Sequence, residues 1–278
     1  MRFFQAFCPT RTSMPEPRWV RTFEEVALEA AVGAGDALRG HFGRVRDIQH
    51  KGEVDLVTAA DREAEALILR RLASAFPGHR IVAEESGEHP GGDDFVWYVD
   101  PLDGTTNFVH ALPHFAVSIG LVAHGELAVA VVHDPMRQET FHASRGRGSF
   151  LNGRRIGASA VRRIEEALVA TGFSYDRRAA SRHLPAFERV LRRAQGIRRA
   201  GAAALDLAYV ACGRLDGYWE SQLKPWDTAA GSLLVSEAGG RVTGHDGAPS
   251  GIAHEHIVAT NGHLHDELRG LVGDTFGA

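Results

Sequence analysis

Two aspartates stand close together in Asp100-Pro101-Leu102-Asp103-Gly104-Thr105-Thr106-Asn107, directly after the apolar run Phe95-Val96-Trp97-Tyr98-Val99. A buried strand that runs into two carboxylates is an unusual loop entry. Pro101 restricts the backbone between them and can turn both side chains toward one point. Gly104 lets a ligand approach the main chain, and the N–H groups of Gly104, Thr105 and Thr106 can open a helix that cradles a phosphate. The plainer account is an aspartate cap beside a turn. Further acids favour the chemical account. Glu84 and Glu85 end the run Ile81-Val82-Ala83, where adjacent acids repel unless a cation binds or water solvates them. Asp227 lies in the first turn of a predicted helix, where alone it complements the helix dipole. Asp61 lies three residues after Thr58, a spacing that also completes a capping box. Together these side chains supply the hard oxygen ligands that Mg²⁺ prefers.

The elements that must position them alternate between helix and strand. A helix is predicted from Thr22, where Thr22 and Glu25 form a T-x-x-E box, with Phe23, Val26, Ala27, Ala30, Ala34 and Leu38 on one face. A second follows Thr58 and stops at Pro77-Gly78. Short apolar runs at 81–83, 95–99, 115–123, 126–133 and 139–143 read as strands, and Asn152-Gly153 as a turn. Beyond residue 160 come a strand at 168–170, a helix at 184–194, a small-residue helix at 202–212 and a strand at 215–220. A helix from Trp226 stops at Gly239-Gly240, and strands near Arg241 and Ile257 and a helix from His265 complete the pattern. The expectation is an α/β protein of two packed halves, 18–160 and 161–278, with residues 1–17 a loose extension and Met14 an alternative start.

Composition narrows the function classes. Net charge is −4, from 31 basic and 35 acidic residues, which offers no basic face for nucleic acid. Arg192, Arg193, Arg198 and Arg199 read as solvated surface. No apolar run reaches the roughly 18 residues of a membrane span. Cys8 and Cys212 have no metal-type spacing and read as reduced thiols of a cytoplasmic protein. The sequence holds no G-x-S-x-G elbow, no G-x-x-x-x-G-K-[ST] loop and no H-E-x-x-H pair. His254, His256, His263 and His265 therefore read as loop or solvated histidines, and Trp97, Tyr98, Tyr209, Tyr218 and Trp219 as core.

Four segments carry a resemblance: Val54-Asp55-Leu56-Val57-Thr58-Ala59-Ala60-Asp61, Ala83-Glu84-Glu85-Ser86, Asp100 to Phe108, and Pro225-Trp226-Asp227-Thr228-Ala229-Ala230-Gly231. In order and content they resemble the signatures of the inositol monophosphatase family, over roughly residues 20–272. The resemblance implies a layered αβαβα sandwich, usually dimeric, with two or three Mg²⁺ ions per site. Glu84, Asp100 and the Leu102 carbonyl would hold one ion, and Asp100, Asp103 and Asp227 a second. Asp61 with Glu84 would hold a third, mostly through water. Thr105, bonded to Asp61, would orient the attacking water. Lys51 and Glu85 match residues that stand behind the ligands. Asp103, Gly104, Thr105, Thr106, Gly201, Ala202 and Glu220 would meet the substrate, although Ala202 stands where many relatives carry Ser or Thr.

The implied reaction is hydrolysis of a small phosphate monoester, inositol 1-phosphate above all, with Li⁺ as an expected inhibitor. The metal motifs handle the phosphate and not the alcohol. Histidinol phosphate, fructose 1,6-bisphosphate and 3′-phosphoadenosine phosphate therefore stay open as substrates. A regulatory protein of this fold, acting in a transcription complex, is the alternative from another class.

Overall fold

The computed structural model describes residues 18–44, 49–50, 56–173, 177–248 and 256–273. The first part of the chain forms α1 (Arg18–His41), β1 (Gln49–His50), β2 (Leu56–Val57), α2 (Ala59–Ala75), β3 (His79–Ala83), β4 (Gly87–His89), β5 (Gly92–Asp103) and α3 (Thr105–Val109). Five strands follow: β6 (Ala116–Ala123), β7 (Glu126–Asp134), β8 (Glu139–Ser144), β9 (Gly148–Leu151) and β10 (Arg154–Ile156). The remainder is β11 (Leu168–Thr171), α4 (Arg177–Leu191), β12 (Gly196–Arg198), α5 (Ala203–Ala211), β13 (Gly217–Ser221), α6 (Pro225–Glu237), β14 (Arg241–Thr243), β15 (His256–Thr260) and α7 (His265–Val272).

Among the described residues, two large sheets organise these elements, and β1 and β2 pair as a separate two-stranded sheet. An eight-stranded sheet runs in the order β10-β9-β8-β7-β6-β5-β3-β4, and a five-stranded one in the order β12-β11-β13-β15-β14. The apolar stripes of α1 (Ala27, Ala34, Leu38) and α2 (Ala64, Ile68, Leu72) bury against Trp97, Ile119 and Val131 on one face of the larger sheet. Its other face meets α5 and α6, which pack between the two sheets through Leu205, Leu207, Leu233 and Leu234. The outer face of the smaller sheet is covered by α4 and α7, through Val190, Leu268 and Val272. The layers are therefore αβαβα. With helices on both faces, β6 is buried at every position, which explains its unbroken apolar reading.

Several element boundaries differ from the sequence reading. Helix α1 begins at Arg18, before the Thr22 box. Helix α4 runs from Arg177 to Leu191 and carries Pro185 inside it, where a helix at 184–194 was expected. Strand β5 continues through the two aspartates to Asp103. Strands as short as β4 and β12 carry too few residues to show a period of two. No helix of the described residues is long and apolar enough to cross a membrane.

His265 is a core residue. It is fully buried, with its two ring nitrogens 2.9 Å from Thr243 Oγ1 and 3.1 Å from Thr260 Oγ1. Burial, reinforced by Arg241, pushes its pKa down to about 4. The native state thus holds the neutral ring, while the unfolded chain binds a proton below about pH 6.5. Stability from this residue is complete above that pH and is lost as pH falls toward 4. The expected loss is on the order of 2–3 kcal/mol. Melting curves from pH 7.5 to 4 should show a decline that His265→Gln makes shallower. An equal decline in both proteins would remove this residue from the account.

Candidate active site

Strand pairing brings the acids together. Strands β3 and β5 run parallel with Ala83 beside Val99, and the Glu84 N–H donates to the Val99 carbonyl at 3.1 Å. Glu84 therefore leaves its strand next to Asp100. In a regular strand, residues 100 and 103 would point to opposite faces. Between Asp100 and Asp103, however, the register against β6 shifts, with Asp100 opposite Ser118 and Asp103 opposite Ala116. One extra residue is accommodated there, and this bulge returns both aspartates to one side. It also explains how a central strand tolerates Pro101, which has no N–H for the ladder. The Leu102 N–H turns to Asp100 Oδ1 at 2.9 Å.

Asp227 arrives from the far side of the sheet. Pro225 sits at the start of α6, and Asp227 Oδ2 accepts the Lys224 N–H at 2.7 Å. Ser118, the register partner of Asp100, donates its hydroxyl to the Trp226 carbonyl at 3.1 Å and so fixes Asp227 opposite the bulge. Asp103 has a second duty. Its two oxygens accept the Ala203 and Ala204 N–H groups at 3.1 and 2.8 Å. It thereby caps α5, whose own N-cap residue, Ala202, has no side chain able to do so.

Gly104 joins the bulge to α3 at φ +96°, where an added Cβ would lie 3.1 Å from the His114 carbonyl. Asn107 ties α3 to the entry of α5, its amide donating to His114 O at 2.8 Å and Ala200 O at 2.9 Å. Asp61 completes the capping box of α2, accepting Thr58 N–H at 2.9 Å and Thr58 Oγ1 at 2.5 Å on one oxygen. Its other oxygen is 3.4 Å from Thr105 Oγ1, which also lies 3.0 Å from the Leu102 carbonyl. A hydroxyl has one proton, so the shorter contact with Leu102 is the better bond.

These pieces enclose a cleft of about 530 Å³ lined by Glu84, Asp100, Asp103 and Asp227 on one wall and by Arg199, Glu220, Ser221 and Gln222 on the other. Burial, then Glu84, holds the Asp100 carboxyl well above the usual range, and the two share a hydrogen bond. Burial, then Asp227, raises Asp103 likewise, although the α5 N–H groups pull it back. The acids share the cleft without closing on one point, since among the described residues no three His, Cys, Asp or Glu side chains already form a cation cage. The donor chemistry nonetheless fits a hard divalent cation: carboxylates and a carbonyl, no thiolate or imidazole, and mutual repulsion that positive charge would relieve. On the other wall, the Tyr218 hydroxyl donates to Glu220 Oε2. Burial raises Glu220 to about 7 against the pull of Tyr218 and Arg199. The carboxylate packs on Gly172, where any Cβ would fall within 1.9 Å of it.

The sequence profile of the inositol monophosphatase family matches residues 19–274. The chain belongs to the inositol monophosphatase family. It is 47% identical over 255 residues to the inositol-1-monophosphatase of Synechocystis, covering 91% of this chain and 89% of that one. It is 48% identical over 244 residues to the Nus factor SuhB of Pseudomonas aeruginosa, covering 85% and 90%. The crystal structure of the extragenic suppressor protein suhB of Bartonella henselae superposes with a TM-score of 0.87 at 43% identity, covering 90% of this chain and 98% of that one. Membership of this metal-dependent family makes the chain a phosphoric monoester hydrolase.

Of the residues expected from the family resemblance, Glu84, Asp100, Leu102, Asp103, Gly104, Thr105, Gly201, Glu220 and Asp227 line the cleft. Asp61 is buried behind Thr105, and Ala202 is buried at the foot of α5. Thr106 lies outside the lining, its carbonyl accepting the His110 N–H. Glu85 also lies outside it, its N–H bonded to the buried Glu65 at 2.9 Å. Lys51, Asp55 and His254 lie outside the described residues. Sequence reasoning missed Glu65, although it sits one helical turn after Asp61. Arg199 is exposed, as its reading with the surface arginines expected, but its place at the cleft was not anticipated. Arg192 and Arg193 do form surface ion pairs, with Glu188 and with Glu165 and Glu267, but Arg199 lines the cleft.

Proposed function

We propose that this protein hydrolyses the phosphomonoester of a polyhydroxylated alcohol, inositol 1-phosphate first among them, with Mg²⁺ in the acid cluster and water as nucleophile. The observation that carries this reading is that Glu84, Asp100, Asp103 and Asp227 line one cleft, with Asp100 and Asp103 buried and each held under the repulsion of its acidic neighbours. Glu84, Asp100 and the Leu102 carbonyl are assigned to one ion, Asp100, Asp103 and Asp227 to a second, and Asp61 with Glu84 to a third. Divalent ions there would neutralise phosphoryl charge and make water nucleophilic at neutral pH. The chain's own groups do the rest. Thr105 orients the water through its hydroxyl, with Asp61 in reach to accept the proton of that hydroxyl. Glu220 on the opposite wall accepts hydrogen bonds from the leaving alcohol. Inhibition by Li⁺, a homodimer and a cytoplasmic location belong to the same reading.

The test is phosphate release with Mg²⁺ from a panel of inositol 1-phosphate, histidinol phosphate, fructose 1,6-bisphosphate and 3′-phosphoadenosine 5′-phosphate. Inositol 1-phosphate should lead by about tenfold or more in kcat/KM, near 1.4 kcal/mol. A lead for histidinol phosphate would replace the substrate and leave the phosphatase. A second reading is supported by the similarity to a Nus factor. Negligible turnover of the whole panel, with tight capture of transcription-complex components, would favour it.

A further inference from the structure

Of the acids that line the cleft, Asp100 and Asp103 belong to β5 in the interior of the larger sheet, and Asp227 belongs to the first turn of α6. Glu84 has no such support. It follows the last residue of β3 and lies in the turn 84–86 that leads to β4. A side chain on a turn keeps its aim only where the peptide units on either side of it are held. The N–H of Glu84 is held by the Val99 carbonyl at 3.1 Å. The next peptide unit, between Glu84 and Glu85, is held from outside the sheet. There the Glu85 N–H donates to Glu65 Oε2 at 2.9 Å. The two bonds fix the backbone before and after Glu84, and with it the direction in which its carboxylate reaches Asp100.

Glu65 itself is out of place by the rules of a core. It is 3% exposed, on the face of α2 that also buries Ala64, Ile68 and Leu72. Among the described residues its carboxyl has the Glu85 N–H as its one hydrogen-bond partner, and no lysine, arginine or histidine pairs with it. Burying a carboxyl group against a single neutral donor costs stability. A local rule broken beside a cleft points to function. One turn earlier the same helix carries Asp61, whose carboxylate lies 3.4 Å from Thr105 Oγ1. The first turns of α2 thus face both ends of the acid wall.

We propose that Glu65 is a positioning residue of the cation site, clamping the 84–85 peptide so that the Glu84 carboxylate stands beside Asp100 before an ion binds. The inference rests on the metal-dependent reading above and adds to it a residue that touches neither ion nor substrate. Groups that hold a ligand in place commonly change metal affinity or activity 10–100-fold when removed.

The test uses full-length protein stripped with a chelator and titrated with Mg²⁺. Tm and phosphate release are followed together, with whichever ester wild type turns over fastest. Glu65→Met keeps the length of the side chain and its place in the helix but loses the acceptor. Glu65→Gln keeps an oxygen for the Glu85 N–H. In Glu65→Met the Mg²⁺ concentration for half-maximal rate should rise about tenfold, and the Mg²⁺-induced gain in Tm should shift by the same factor. At saturating Mg²⁺, kcat should stay within about threefold of wild type. Glu65→Gln should recover most of the affinity. Should Glu65→Met fail to fold, Glu65→Asp takes its place, since its carboxyl falls a methylene short of the Glu85 N–H, and the same rise is expected. A merely structural role would lower Tm in chelator and leave the Mg²⁺ midpoint where wild type has it, and that result overturns the proposal. So does a Glu65→Gln variant as impaired as Glu65→Met. A wild type indifferent to Mg²⁺ overturns the metal reading and this inference with it.

Discussion

Asp100→Asn should reduce phosphomonoester hydrolysis by about 10³-fold or more, near 4 kcal/mol of transition-state stabilisation, in a protein that still folds. Asp100 stands at the centre of the acid cluster, hydrogen-bonded to Glu84 and facing Asp103 and Asp227. Every ion assigned to the site except the third uses it. Asparagine keeps the oxygen that accepts the Leu102 N–H, so the bulge retains its shape. It also removes one negative charge from a buried, mutually repelling group. The melting temperature without divalent ions should therefore hold or rise. Wild type should gain stability from Mg²⁺ by mass action, and the variant should gain less. Near-normal turnover at low Mg²⁺, or an equal Mg²⁺-induced shift, would exclude Asp100 from the site. Asp103→Asn is the poorer test, because Asp103 also caps α5 with both oxygens. An amide NH₂ would there face a backbone donor.

Thr105→Val should lower kcat by roughly 10²–10⁴-fold with little change in KM, the range of proton-transfer and water-positioning groups. The hydroxyl reaches Leu102 O at 3.0 Å and Asp61 at 3.4 Å. Valine keeps the shape and loses both contacts. Thr105→Ser restores the hydroxyl and should restore most of the rate. A change confined to KM would mean that Thr105 grips the phosphate and does not orient water. The same question is harder to put to Asp61, whose removal also breaks the capping box of α2.

Much of this site could be read from sequence where the signals are local. Thr58 and Asp61 lie within one turn and form the expected box. Asp100 and Asp103 lie within one segment, though the device that aligns them is a bulge as well as a proline. Contacts between distant segments left no such trace. The bonds from α5 to Asp103 join residues about a hundred positions apart, and neither alanine carries a side chain that marks it. Arg199 is exposed like the other arginines of its stretch, and only the path of the chain sets it at the cleft. The layer order follows the same division. Each apolar stripe was visible, but which sheet it covers depends on which strands pair, as with α6, which contributes to the core between both sheets.

The central claim is that the acid wall is a divalent-cation site and that hydrolysis depends on it. Its most direct test is phosphate release from inositol 1-phosphate by wild-type protein stripped with a chelator and titrated with Mg²⁺, with the melting temperature followed in the same samples. Turnover should be absent in chelator and return with Mg²⁺ over the same concentration range in which the melting temperature rises. Turnover that persists in chelator, or Mg²⁺ that moves neither quantity, would contradict it.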